Sequence, residues 1–257
     1  MRIINFYKKI GETPLEAIGR LKEEKPELVD ERLTYAGRLD PMAEGLLLIL
    51  VDATEKEKKE ILNLPKKYYF EVLWGFESDT YDILGKSKFV DERLPEDFEI
   101  QNAIKKIKKI KKMSYPPFSS KTVLGKPLFT WAREGRLEEI KIPEREVKIS
   151  ILNKSNDYKI SSEELLKIFI QRIKLVKGDF RQKEVIDLWK QNIEKNKTFL
   201  ISCFETEVSS GTYVRNIGDY LGKELGIGVI CFRIVRTQIG DQKIENSSLL
   251  YKHQGLL

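Results

Sequence analysis

The order of structural elements legible in this chain predicts an α+β protein built around a mixed central β-sheet flanked by helices. Three observations carry that expectation. Residues 45–51 are an unbroken apolar run bounded by turn signals, the pattern of a short strand buried on both faces. Amphipathic stretches with capping residues begin at Thr13-Pro14 and at Ser161-Ser162. Strand-like and helix-like segments follow one another without the regular alternation of a parallel βαβ sheet. A chain of 257 residues is long enough to bury a substantial core. It holds no internal repeat, low-complexity tract or Gly/Ser linker, so one continuous domain over residues 1–257 is expected.

Taken in order, Thr13-Pro14 followed by Leu15, Ala17, Ile18 and Leu21 reads as a helix with a Thr cap and Pro at its first position. A charged stretch, 22–32, leads to a turn over 35–40, and the buried strand 45–51 follows. Asp52-Ala53-Thr54 then starts a helix through Glu55 and Lys59. Residues 68–76 are rich in aromatic and β-branched side chains and read as a strand. From Gln101 onward, Ile104, Ile107, Ile110 and Met113 recur every third position with lysines between them, the stripe of a docked helix. Tyr115-Pro116-Pro117-Phe118-Ser119-Ser120 must be extended or turn, because each proline disfavours helix at its predecessor. Residues 128–135 return to helix and stop at Gly135. A strand over 147–152, a helix from Ser161 through Lys174, a strand over 199–208, a helix over 214–225 ending at Gly226, and a closing strand over 231–239 complete the order.

Composition narrows the chemistry. The single histidine, His253, lies near the C-terminus. That removes Ser-His-Asp and Cys-His catalysis, histidine-based zinc sites and an imidazole general base. Any reaction must run on carboxylates, Tyr, Lys, Arg or hydroxyls, and no metal is expected. Cys203 and Cys231 stand far apart in apolar surroundings, as buried free thiols do. The start of the chain has no apolar h-region, and residues 46–51 are too short a run to span a bilayer, so the expected setting is the cytoplasm with no membrane partner. The net charge of +6 is unevenly spread: residues 101–126 hold eight lysines and no Asp or Glu, leaving −2 for the remainder. A local patch of that kind attracts polyanions by counterion release, although an exposed helix face would look the same.

Four segments could carry chemistry. Gly37-Arg38-Leu39-Asp40-Pro41-Met42-Ala43-Glu44-Gly45 places a carboxylate between glycines at the mouth of a rigid strand, which suits a reactive Asp40 as well as an ordinary Asp-Pro turn. Lys66-Lys67-Tyr68-Tyr69-Phe70 sets aromatic residues beside lysines, and leads through Gly75 to Asp79-Thr80-Tyr81-Asp82. These aromatics are either core or a face that stacks a base. Residues 115–126, including Lys121, join the lysine-rich stretch to an aromatic, hydroxyl-rich loop of the sort that suits structured RNA. Ser209-Ser210-Gly211-Thr212-Tyr213-Val214-Arg215, with Arg236-Thr237-Gln238 further on, puts Arg215 at a helix start, the wrong end for the helix dipole. It must have a carboxylate or phosphate partner.

Together these segments resemble the TruB-type family of transfer-RNA pseudouridine-55 synthases, from Lys8-Lys9-Ile10-Gly11 to about Gly240. Gly-x-Leu-Asp is shared by several pseudouridine synthase families. Residues 41–47 are closer to the T-loop type. Pro116-Pro117-Phe118-Ser119-Ser120 with Gly125-Lys126-Pro127-Leu128-Phe129 and Ala132-Arg133-Glu134-Gly135 is diagnostic, as is Gly211-Thr212-Tyr213-Val214-Arg215. The resemblance implies a pseudouridine synthase fold with Asp40 as nucleophile, Tyr68 stacked on a flipped uracil and Arg215 paired with Asp40. It implies Ile234 as an apolar wall, Tyr213 and Lys121 among the substrate-binding residues, and a basic arm around residues 101–135 that grips the T-arm of transfer RNA. No cofactor is implied, and a monomer is expected. Two positions depart from the family pattern: Tyr35 stands where His is typical, and Arg38 where Thr or a small residue is usual. Both are read as substrate-binding. Arg38 resembles the ribosomal-RNA synthases of the same fold, so a ribosomal-RNA target is the alternative substrate, and a non-catalytic RNA-binding protein the alternative class. With few residues after Gly240, a PUA-like C-terminal domain of the kind that longer relatives carry is not expected.

Overall fold

The computed structural model describes residues 1–90 and 92–246; His253 lies outside them. In chain order its elements begin with β1 (Arg2–Lys8), α1 (Pro14–Glu24), β2 (Leu33–Ala36), β3 (Ala43–Val51), α2 (Glu55–Asn63), β4 (Lys66–Trp74), β5 (Phe76–Ser78), β6 (Ser87–Phe89) and α3 (Asp97–Ile107). They continue with β7 (Lys112–Ser114), β8 (Thr122–Val123), β9 (Lys126–Pro127), α4 (Leu128–Arg133), β10 (Glu144–Glu146), β11 (Ile149–Ser161) and α5 (Ser162–Leu175). The last are α6 (Gln182–Asn192), β12 (Thr198–Val208), α7 (Val214–Leu225), β13 (Val229–Ile239) and β14 (Gln242–Lys243). The helix starts follow their caps. Thr13 accepts from Glu16 N (3.2 Å) while the Glu16 carboxylate accepts from Thr13 N (2.7 Å), and Thr54 and Glu57 repeat the arrangement on α2.

The main sheet is mixed, as expected. Its strands run β1-β3-β13-β4-β12-β11, with β2 added on β3 and β14 on β13. All main neighbours are antiparallel except β3 and β13, which are parallel. Every residue of β3 is buried. One edge of β3 pairs along its length with β1; the other is shared, residues 43–45 with β13 and residues 48–51 with β2. The segment carrying Asp40 leaves the sheet where those two partners diverge. Gly45 lets the strands close there: its φ is +108°, and a Cβ would stand 2.4 Å from Arg236 O.

Alternation along β4 divides the core. Tyr68, Phe70, Val72 and Trp74 face α3 and α7, packing with Ile104, Ile107, Ile217, Leu221 and Phe204. Leu73 faces the opposite way, into Phe169, Trp189, Ile201 and Phe232 beneath α5 and α6. Cys203 and Cys231 are buried free thiols. Among the described residues no helix is long and apolar enough to cross a membrane.

The structure departs from the sequence expectations in four places. Residues 231–239 belong to β13, which lies inside the sheet between β3 and β4 and closes nothing. The helix of the lysine stretch ends at Ile107; Met113 sits in β7, paired with β10, and is buried beside the same core as Ile107. A three-residue period thus continued through a turn into a strand. β11 runs to Ser161, far past residue 152, because an edge strand can expose polar side chains. β1 and α6 carried no clear sequence signal, and α6 docks only through Val185, Ile186 and Trp189.

Candidate active site

The Asp40 segment is held at both ends by buried cations bonded to main-chain carbonyls. Arg236 of β13 is fully buried. Its Nε donates to Leu46 O (2.7 Å), and its terminal nitrogens donate to Gly37 O (2.9 Å) and Arg38 O (3.4 Å). Lys8 of β1, also fully buried, donates from Nζ to Ala43 O (2.6 Å) and Lys9 O (3.0 Å). Burial pushes its ammonium down to about 8. These bonds account for backbone oxygens that a buried turn would otherwise leave unpaired. They also fix the direction in which Asp40 leaves the loop.

Arg215, the second residue of α7, meets that carboxylate. Its Nε donates to Asp40 Oδ2 at 2.8 Å, and its terminal nitrogens donate to Thr80 O (2.6 Å) and Phe118 O (3.4 Å). Asp82 Oδ2 lies 3.7 Å from the same Nε. One guanidinium therefore faces two carboxylates. Burial acts to lower its proton affinity, but Asp40 and Asp82 outweigh it and hold the guanidinium above its usual range. Burial raises the Asp82 carboxyl, with Arg215 and the Thr80 hydroxyl opposing. Asp82 Oδ1 is occupied by Thr80 Oγ1 (2.6 Å) and Leu84 N (3.0 Å). Asp40 is the accessible one: no hydrogen bond from the described residues reaches its Oδ1, and its side chain is 30% exposed against 7% for Asp82.

Asp40 opens into a cleft of about 630 Å³, a size suited to a small ligand or one nucleoside. Tyr68 of β4 and Ile234 of β13 line it from neighbouring strands. Tyr213 closes the side beneath Arg215, whose guanidinium carbon stands 5.9 Å from its ring centroid. Burial, followed by the charge of Asp40, pushes the Tyr213 phenol up. Tyr35 and Arg38 form part of the rim and touch each other, Arg38 donating to the Tyr35 hydroxyl at 3.4 Å. Lys121 is not in the cleft; its Nζ lies 5.5 Å from the Tyr115 ring, which packs edge-on against Tyr213.

The stretch expected to form the basic arm, residues 101–135, divides between the core and the cleft. α3 is fastened to the core through Ile100, Ala103, Ile104 and Ile107, so the lysines of residues 105–112 stand on the body, and Lys106 pairs with Glu224 at 2.8 Å. Only Phe118, Ser119, Ser120, Phe129 and Arg133 of that region line the cleft. They meet a lip contributed by residues 178–182, which the sequence reading passed over. There Arg181 pairs with Asp79 (2.7 Å) and lies 4.6 Å from the Phe118 ring, while Arg133 donates to Asp179 O (2.6 Å). Asp82, Lys66, Arg145 and Arg236 also line the cleft without an assigned role in the sequence. Lys66, Asp82 and Arg236 lie inside quoted segments, but their direction was not legible; Arg145 carried no sequence signal. Among the described residues, no group of three or more His, Cys, Asp or Glu side chains could hold a metal ion.

A family model described as "TruB family pseudouridylate synthase (N terminal domain)" matches residues 25–163. Among similar proteins, "tRNA pseudouridine synthase B" of Aquifex aeolicus (strain VF5) is 28% identical over 244 residues, covering 92% of this chain and 68% of the relative. The protein of the same name from Clostridioides difficile (strain 630) is 29% identical over 256 residues, covering 97% and 69%. A chain in the crystal structure of a Cbf5-Nop10-Gar1 complex superposes with a TM-score of 0.54 at 18% identity, over 94% of this chain and 49% of that one. That last likeness bears on the fold. The chain spans about two thirds of the length of these relatives and about half of that of the solved structure.

Proposed function

The chain belongs to the TruB family of pseudouridylate synthases, and we propose that it isomerises a transfer-RNA uridine, the one at position 55 of the T-arm, to pseudouridine with Asp40 as nucleophile. The observation that carries this reading is the Asp40 carboxylate: fixed through Oδ2 by Arg215 at 2.8 Å, it keeps Oδ1 without a hydrogen bond among the described residues, toward a cleft walled by Tyr68 and Ile234. A guanidinium at that distance aims a carboxylate through a charge-assisted hydrogen bond.

The target nucleotide leaves its stack, at a cost of a few kcal/mol, and its uracil packs against Tyr68. Asp40 attacks C1′ or removes a ribose proton toward a glycal; either route breaks the N1–C1′ bond. The uracil rotates while held between Tyr68 and Ile234; C5 then bonds to C1′ as the Asp40–C1′ bond breaks or, on the glycal route, as Asp40 returns the proton to C2′, after which the C5 proton is lost and N1 is protonated. Atoms are conserved and no electrons enter or leave, so the reaction calls for no redox cofactor. We place it in the cytoplasm, with the protein acting as a monomer.

The test is incubation with an unmodified T-arm stem-loop and, separately, with ribosomal RNA, followed by pseudouridine mapping. Pseudouridine at position 55 is expected, and Asp40→Ala is expected to abolish it, by at least a thousandfold, while RNA binding changes only a few-fold. Modification confined to ribosomal RNA would overturn the substrate assignment. Binding with no isomerisation by the unaltered protein would overturn the enzymatic one.

A further inference from the structure

Beside the Asp40 loop three cations converge whose hydrogen bonds go only to main-chain carbonyls. Lys66 donates from Nζ to Leu62 O (2.9 Å) and Leu64 O (2.6 Å). Arg145 donates to Ser210 O (3.0 Å), and the Ser210 hydroxyl donates to the same Leu62 O. Arg236 bonds the carbonyls of Gly37, Arg38 and Leu46. A side-chain carbon on Gly37 would lie 3.3 Å from Arg236 Nη1 and 3.4 Å from Lys66 Cε, so those two flank one point of the cleft wall. Lys66 and Arg236 are almost fully buried, and Arg145 Nε is buried with no hydrogen-bond partner. The two carboxylates that line the cleft, Asp40 and Asp82, both face Arg215.

Two buried positive charges and a half-buried third, with no anion among the described residues beside them, are costly, since their mutual repulsion adds to the loss of hydration. The repulsion is felt at Lys66: burial, with Arg236 and Arg145 beside it, lowers its ammonium to about 8. Donors remain to be used. Lys66 has spent two of its three N–H groups, and Arg145 one of five. Gly211 preserves the opening, for a Cβ there would sit 1.5 Å from Arg145 Nη1 and displace the guanidinium. Lys66 and Tyr68 are two residues apart on one strand, on the same face and about 7 Å from each other. That is roughly the reach from a base to its own backbone phosphate.

We propose that Lys66, Arg145 and Arg236 form an anion subsite that binds a phosphodiester of the RNA next to the uridine seated on Tyr68. The inference rests on the function proposed above. The phosphate supplies the missing negative charge and accepts the unused N–H groups, and it fixes where along the strand the flipped nucleotide must sit. Arg236 thereby couples phosphate binding to the Asp40 loop, whose carbonyls it holds.

The test uses the whole protein and a T-arm stem-loop in which one phosphate at a time is replaced by an uncharged methylphosphonate. At one position adjacent to the target uridine, affinity should fall about tenfold, the size of one lost charge-assisted contact. Lys66→Gln and Arg145→Gln should weaken binding of the unmodified RNA by a similar factor and become indifferent to that replacement. The salt dependence of binding should lose a slope of about 0.7 in each variant. The idea is overturned if no position costs more than twofold, or if the variants suffer the same penalty as the unaltered protein. The RNA series leaves the protein untouched, so a variant that fails to fold does not blur the first reading. Pseudouridine formed on the same RNA decides the reaction separately: turnover without phosphate coupling sinks the subsite alone.

Discussion

The two faces of the sheet each bury a network in which one arginine serves two carboxylates, and only one of the two leaves a carboxylate oxygen without a hydrogen bond among the described residues. On the α7 side, Arg215 Nε lies 2.8 Å from Asp40 and 3.7 Å from Asp82. On the α5 side, Arg233 Nε lies 2.8 Å from Glu44 and its Nη1 lies 3.8 Å from Glu71. The distances nearly match, but the remaining lone pairs do not. Tyr7 donates to Glu44 Oε2 (2.7 Å), Tyr69 to Glu71 Oε1 (3.0 Å) and Tyr158 to Glu71 Oε2 (3.0 Å). Burial first, with the charge of Glu71 also contributing, raises both Tyr69 and Tyr158, which keeps them protonated donors. All four oxygens of Glu44 and Glu71 are thus engaged, whereas Asp40 Oδ1 is left to the cleft. A saturated network fixes structure; an unsaturated carboxylate with an arginine behind it is placed for chemistry.

The contrast can be broken at Arg215. Arg215→Met should cost about a hundredfold or more in turnover, because Asp40 loses its aim, and about 3–5 kcal/mol in stability, because Asp82 stays buried without its countercharge. Denaturant unfolding and single-turnover kinetics on the same variant measure the two. Unchanged turnover would mean that Asp40 is oriented by its loop alone. Arg233→Met should cost a comparable amount of stability on the other face, again about 3–5 kcal/mol, yet turnover per folded molecule should stay within about twofold. A large loss of turnover there would show the two networks to be coupled through β13.

The smallest effect sharpens the comparison through pH. Asp82 has its folded-state carboxyl raised above the ordinary 3.8 by burial. Its contribution is therefore fully favourable below that value and is lost as pH rises through the folded-state value, where a buried charge must form. Asp82→Asn should consequently be more stable than the unaltered protein at neutral pH, with the gap closing as pH falls toward 3.8. Urea melts at a series of pH values would read this, and a gap that widens in acid would refute it.

Much of the architecture was legible because its signals are local. Thr13 and Thr54 cap helices by bonds to residues three places on, and the run through residues 45–51 has no polar side chain to expose. The extent of β11 and the position of β13 were not legible, because strand order and edge exposure depend on which distant strands pair. Met113 misled for the same reason: its partner is Arg145, far along the chain.

The site divides likewise. Sequence alone determined that reactivity had to come from carboxylates, Tyr, Lys, Arg or hydroxyls, since the only histidine is His253, and that Arg215 needed an anionic partner at a helix start. The family resemblance also picked out Asp40, Tyr68, Tyr213 and Ile234, which the fold brings to one cleft. Only tertiary structure decided that Arg215 is shared with Asp82, that Lys66, Arg145 and Arg236 gather without a carboxylate, and that residues 178–182 form the opposite lip. Those arrangements join residues up to 199 positions apart in the chain. Side-chain direction across such a separation is set by sheet register and helix docking, and neither has a local signature.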